Sequence, residues 1–193
     1  MKNIFFLLLF APTLISCKKP IEYQFTDSPE TIHCEGLNYD LAHEAYYSFR
    51  QDIAIYMKNL RIGVDHLDYR ESLGYYIYRG AMGNFDYTEI VTPHTREILK
   101  ELKKNKDLWD TDSEKSNLNY NSEFINCLIQ GIKNEDVKQT ILSLREANTI
   151  NSDILKETYR INVYDSYTDN NFGMLIAFDT YYQHFLNLDF NKK

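Results

Sequence analysis

Hydrophobic positions recur every three to four residues through most of the chain, a spacing that predicts a succession of short amphipathic helices. Leu41, Ala45, Phe49, Ile53, Tyr56 and Leu60 form the first stripe. Asn38 stands where an N-cap belongs, and Gly63 where that helix should end. A second stripe, Tyr69, Leu73, Tyr76, Ile77 and Gly80, runs into Gly83 and Asn84 as stop signals. The same stretch admits an alternative, a hairpin that pairs residues 75–78 with 85–91 around Gly83 and Asn84. Thr92 followed by Pro93 predicts a third helix, because proline has no amide to satisfy in the first turn. That helix turns Ile98 and Leu102 inward and a charged face outward.

Residues 105–121 are polar and predict an exposed loop held only by Leu108, Trp109, Leu118 and Tyr120. Periodicity then returns. Phe124, Leu128 and Ile132 mark one helix, and Val137, Ile141 and Leu144, after a cap at Asn134, mark the next. Ile154, Leu155, Tyr159 and Ile161 mark a third, capped by Asn151 or Ser152. Residues 165–171 read as a turn before a last helix that buries Leu175, Phe178, Tyr182, Phe185 and Leu186. Valine numbers only four, and glycine and proline are few, which is poor material for a large sheet. The expected fold is all-α, an irregular bundle of six or seven short helices.

The amino-terminal run follows a different rule. Lys2 precedes an apolar core from Ile4 to Ile15, too short for the roughly 20 residues a spanning helix needs. Its flanks are those of a secretory signal peptide. Leu14, Ile15, Ser16 and Cys17 then place a leucine three before a cysteine and a small residue directly before it. This segment resembles the signal and lipobox of bacterial lipoproteins. The resemblance covers residues 1–17 and implies cleavage before Cys17, with Cys17 lipidated and inserted in the lipid bilayer. Lys18, not aspartate, in the next position is compatible with sorting to an outer membrane in such lipoproteins, and the lack of an acidic tract after it points to the periplasmic side over the cell surface. Domain organisation is therefore expected as signal peptide 1–16, lipidated tether 17–29 and one helical domain 30–193.

Charge narrows the partners. Twenty-one basic against 28 acidic side chains give a net charge of −7. Lys2, Lys18 and Lys19 belong to the signal and tether, so the folded part is more acidic still. Such a surface repels phosphate backbones and argues against nucleic acid. Beyond the inner membrane, thiols oxidise, so Cys34 and Cys127 are expected to form a disulfide; two separate buried thiols are the alternative.

Candidate chemistry is sparse. An acid, a spacer and two tyrosines occur both as Glu44, Ala45, Tyr46, Tyr47 and as Asp179, Thr180, Tyr181, Tyr182. Glu44 and Asp179 could face each other as an acid–base pair near His43; the alternative is chance in a tyrosine-rich chain. Asp40 with His43, and Glu30 with His33, have the one-turn spacing of bundle metal ligands, but no second matching helix appears. There is no nucleophile elbow, phosphate loop or zinc motif, so neither a metal nor a cofactor is expected. Sixteen tyrosines remain, and Tyr39, Tyr47, Tyr75 and Tyr78 fall off the apolar stripes. An exposed tyrosine cluster is the expected place of contact with another macromolecule, a protein most of all. Three function classes follow: a non-catalytic envelope binding protein, an immunity-type lipoprotein neutralising a basic toxin, and a hydrolase or metal-binding enzyme.

Overall fold

The computed structural model describes residues 21–60, 69–81, 87–186 and 188. Among them are seven α-helices: α1 (Tyr39–Leu60), α2 (Tyr69–Ala81), α3 (Pro93–Leu102), α4 (Glu123–Gly131), α5 (Glu135–Glu146), α6 (Ser152–Ile161) and α7 (Asn170–Thr180). Three 3₁₀ turns, Tyr87–Glu89, Asp165–Tyr167 and Tyr182–Phe185, fill the joints. No named strand occurs among the described residues; the nearest thing is one bridge between Trp109 and Leu118. The fold is all-α.

Helix α7 is the axis. Every residue from Asn171 to Thr180 is buried, so it carries no solvent face, and α1, α4 and α6 pack around it. A helix apolar all round belongs in the middle of a core. The others are amphipathic and lie outside it, with Phe49, Ile53, Ile98, Leu128, Ile141 and Leu155 turned inward.

Helix starts follow the local chemistry of the sequence. Asn38 Oδ1 accepts from Leu41 N at 3.0 Å, Thr92 Oγ1 from Thr95 N at 3.3 Å, and Asn134 Oδ1 from Val137 N at 3.2 Å. Asn151, not Ser152, caps α6 through Ile154 N at 3.0 Å. Each satisfies an amide that the first turn leaves without an intrahelical partner.

Several expectations need correction. The hairpin alternative fails, because residues 75–78 lie within α2; Gly63, Gly83 and Asn84 fall outside the described residues. Leu60, Ile154 and Ile161 are exposed at 48%, 44% and 60%. In α6 the inner stripe is Leu155 and Tyr159, four apart; Ile154 and Ile161 share another face. The turn at residues 165–171 is shorter than expected, since Asp169 already caps α7 through Asn171 N at 3.0 Å.

The last helix also stops early. It ends at Thr180, and the chain continues as the Tyr182–Phe185 turn. Side chains capture the carbonyls that a longer helix would use: Tyr76 Oη donates to Thr180 O at 2.6 Å, and Gln183 Nε2 donates to Asp179 O. Neither glycine nor proline marks this break.

The polar segment 105–121 is pinned more firmly than its composition suggests. Leu108, Trp109, Leu118 and Tyr120 are all buried. Gln183 Oε1 accepts from Ser116 Oγ at 2.8 Å and from Asn117 N at 3.2 Å.

The expected tether is docked where it is described. Residues 21–29 lie across α1 and α3. Glu44 accepts from Gln24 N at 2.6 Å and from Phe25 N at 3.0 Å, and Tyr47 Oη donates to Pro29 O at 2.9 Å. Behind this strap, Cys34 is bonded to Cys127, with alpha carbons 5.8 Å apart. The disulfide fastens the strap's end to α4, and that separation is one an unforced bridge permits.

Candidate functional site: a tyrosine-lined groove

The structure sorts the tyrosines into two populations. Tyr46, Tyr159, Tyr181 and Tyr182 are almost wholly buried. Tyr78 and Tyr164 are exposed at 53% and 76%. The exposed pair meets in one place. Arg70, Glu71, Gly74, Tyr75 and Tyr78 of α2 form one wall of an open groove, and Val163, Tyr164 and Tyr167 form the other. Its volume is about 550 Å³.

Local geometry explains why these walls stand together. Tyr75 and Tyr78 are three apart on α2, hence neighbours on one helical face. Tyr164 and Tyr167 have the same spacing across the 3₁₀ turn, where residues three apart eclipse. Their rings meet edge to face with centroids 5.6 Å apart. Tyr167 Oη donates to Arg70 O at 2.9 Å, which ties the turn to the start of α2. The Arg70 guanidinium lies 5.8 Å from the Tyr167 ring, and the Arg79 guanidinium 5.9 Å from Tyr75, both within cation–π range. From below, Arg50 of α1 sits 4.0 Å from the Tyr69 ring, which in turn meets the Tyr167 ring at 6.4 Å.

Gly74 stands in the α2 wall. A Cβ built there would meet nothing nearer than Tyr167 Oη at 3.7 Å, an ordinary contact. At Gly131 a Cβ would collide with Asn171 Oδ1, and at Gly173 it would fall 2.5 Å from Tyr46 Oη. Packing therefore demands glycine at Gly173, where the Ser166 carbonyl also lies 3.1 Å away; at Gly131 a side chain would displace the Asn171 amide, and at Gly74 packing sets no such demand.

The other predicted residues divide differently. Tyr39, His43 and Tyr47 do come together, as an aromatic ladder along α1 that includes His33, whose ring stacks on Tyr39 at 3.9 Å. The ladder is occupied with holding the strap. His43 Nε2 donates to Phe25 O at 3.0 Å, and its Nδ1 faces Thr31 Oγ1 at 3.2 Å. Both ring nitrogens thus have partners within the protein, and Asp40 is not one of them.

Glu44 and Asp179 are both buried, but in separate networks. Glu44 Oε1 lies 2.5 Å from His94 Nε2 and accepts from Gln24 N, while Oε2 accepts from Phe25 N. Asp179 accepts from Tyr120 at 2.5 Å, Tyr159 at 2.7 Å and Gln183 at 2.7 Å. They share no hydrogen-bond partner, so the echoed acids do not form a pair. Tyr182 donates to Ala45 O at 2.8 Å and is closed to solvent. Burial raises the Asp179 carboxyl to about 6, against the lowering effect of its tyrosine partners.

A third buried acid, Asp52, escaped the sequence reading. Its Oδ2 accepts from Tyr181 at 2.5 Å, Thr95 at 2.7 Å and Thr92 N at 3.1 Å, while Oδ1 has no protein partner. Burial pushes this carboxyl up as well. Four residues earlier, Ser48 Oγ is buried and likewise without a protein partner. Polar residues at positions 48 and 52, one turn apart on an inward face, were the signal.

Groove residues missed by the sequence reading were Arg70, Glu71, Gly74, Val163, Tyr164 and Tyr167. A signal existed: the spacing tyrosine-x-x-tyrosine occurs at Tyr75 and Tyr78 and again at Tyr164 and Tyr167. Among the described residues no group of three His, Cys, Asp or Glu side chains could hold a metal ion. A smaller recess of about 10 Å³ between α2, α6 and the Tyr182–Phe185 turn has room for about one water. Comparison with protein-family models, with curated proteins and with solved structures found no match.

Proposed function

We propose that this chain is a lipid-anchored, non-catalytic binding protein of the bacterial cell envelope, whose contact site is the tyrosine groove beside α2. One observation carries the reading: four tyrosines from two distant stretches converge on one open groove, and two of them leave most of their surface to solvent. Tyrosine gives large, rigid contact area at low entropic cost, with a hydroxyl that tolerates water when no partner is bound. The lipobox at Cys17 supports anchoring, Lys18 behind it is compatible with an outer membrane, and the lack of an acidic tract after it supports the periplasmic side.

Two measurements test the reading. Growth with a labelled fatty acid should mark the natural chain and leave a Cys17→Ala variant unmarked; equal labelling removes the anchor. A photo-reactive residue in place of Tyr78 or Tyr164 should form adducts in living cells, whereas one in place of Ile154, exposed elsewhere, should not. Equal adducts at all three positions, or none at the tyrosines, would remove the groove.

A further inference from the structure

We infer that the groove is an oligosaccharide site: the rings of Tyr78 and Tyr164 stack on sugar rings, and Arg70 and Glu71 hydrogen-bond their hydroxyl and amide substituents. This rests on the binding-protein reading above and names its ligand class.

The lining selects against the commoner occupants. A peptide that adds a strand needs an open sheet edge, and the described residues hold only the isolated bridge at Trp109 and Leu118. An amphipathic helix needs an aliphatic trough for anchors at successive turns. Here the walls are tyrosine and charged side chains, and the one branched aliphatic, Val163, is 8% exposed.

A sugar ring needs what is present. Its C–H faces carry partial positive charge and settle on the negative face of an aromatic ring, as cations and other polarised hydrogens do. Its edge of hydroxyls needs donors and acceptors side by side. Arg70 brings guanidinium N–H donors and Glu71 carboxylate oxygens to the lining, each also engaged within the protein. Their opposite charges leave the groove close to neutral in a strongly acidic chain. A neutral polyol fits that balance, and a polyanion does not.

Gly74 points the same way. Glycine inside a helix costs about 0.5–1 kcal/mol relative to alanine, and no neighbour requires it here. What its missing side chain provides is a notch in the α2 wall, facing Tyr167. The volume, about 550 Å³, lies within the range of roughly 300–1,000 Å³ of small-ligand pockets.

The test uses the full chain purified in a non-glycosidic detergent, titrated calorimetrically with an N-acetylglucosamine tetramer, with maltotetraose and with a proline-rich peptide. Saturable binding of either sugar is expected, weakened roughly tenfold by Tyr164→Ala and kept within about threefold by Tyr164→Phe, which retains the ring. Gly74→Leu should abolish it by filling the notch, with a melting temperature no lower than that of the natural chain showing that the fold survives. Ile161→Ala, outside the groove, should bind as the natural chain does. Absence of binding by both sugars overturns the inference, as does sugar binding indifferent to Tyr164→Ala and Gly74→Leu. Peptide binding that depends on the same tyrosines, with no sugar binding, overturns the saccharide and keeps the binding protein. Failure of all three probes, together with no adducts at Tyr78 and Tyr164 in cells, removes both.

Discussion

The tyrosines of the core and the tyrosines of the groove are the same residue put to opposite uses. In the core each hydroxyl is spent on the protein itself: Tyr181 on Asp52, Tyr182 on the Ala45 carbonyl, Tyr120 and Tyr159 on Asp179. Most buried hydroxyls are bonded, and these bonds tie α7 and the turn after it to α1, α6 and the 105–121 segment. In the groove, Tyr78 and Tyr164 bury little of themselves and contribute little to folding. The lesson is that a tyrosine-rich composition has no single meaning. Partner and position, not number, decide whether a tyrosine is structure or surface.

That contrast can be broken most sharply by truncation. Tyr159→Ala should destabilise by about 3–5 kcal/mol, as loss of a fully buried aromatic does, whereas Tyr164→Ala should stay within about 0.5 kcal/mol. Urea denaturation of both variants checks this, and similar losses would erase the distinction.

Next in size is a pH effect confined to the core. Asp179 sits at about 6 in the folded chain against an ordinary value of 3.8. The folded state therefore binds the proton more tightly, so this contribution to stability is full below about pH 4 and fades as pH climbs through about 6. Its size is on the order of 3 kcal/mol. Asp52, raised by burial, acts in the same sense, and His184, lowered by burial, acts against it. Subtracting the pH profile of Asp179→Asn from that of the natural chain isolates the effect, and a flat difference between pH 4 and 7 would refute it. Substitutions in the groove should leave the profile unchanged.

Tyr181→Phe is a smaller cut. It keeps the ring and removes one donor to the buried Asp52 carboxylate, with an expected loss of about 1–3 kcal/mol in the same denaturation assay. Tyr78→Phe, which removes a hydroxyl from an exposed ring, should be neutral. Smallest are the glycines. Gly74→Ala should raise stability by about 0.5–1 kcal/mol, while Gly173→Ala should lower it, because the new methyl meets Tyr46 Oη at 2.5 Å and Ser166 O at 3.1 Å. Thermal melts of the two variants that move in the same direction would count against the assignment of Gly74 to the groove.

Much of the architecture was legible in the sequence because helix periodicity and capping are local. The stripe on α1, the Thr92 and Pro93 start and the Asn134 cap all rest on residues within one or two turns of each other. The end of α7 was not legible, since Tyr76 comes from another helix to capture the Thr180 carbonyl. Leu155 and Ile154 are adjacent and similarly apolar, and only the packing of α6 reveals which one faces inward. The docked strap was missed for the same reason: its bonds run to Glu44, His43 and Tyr47, some 18 to 20 positions away. For the candidate site, Tyr75 and Tyr78 stood out by falling off the α2 stripe. Their partners across the groove lie beyond the reach of any local pattern. Tyr39 and Tyr47 fell off the stripe too, yet they serve the strap.

The disulfide has a mechanical side. Cys34 and Cys127 are 93 positions apart, and their covalent bond is a short circuit for tension applied between the ends of the chain. A pull on the amino-terminal segment would pass through the strap to Cys34, cross to α4 and continue toward the carboxyl terminus, leaving α1, α2 and α3 out of the line of force. Roughly 300 Å of extensible contour is removed in this way. One wall of the groove, on α2, lies inside the shielded loop, and the other, at residues 163–167, lies outside it. Stretching the molecule would load only the second wall, so the groove would part at the Tyr167 to Arg70 hydrogen bond while α2 stayed folded.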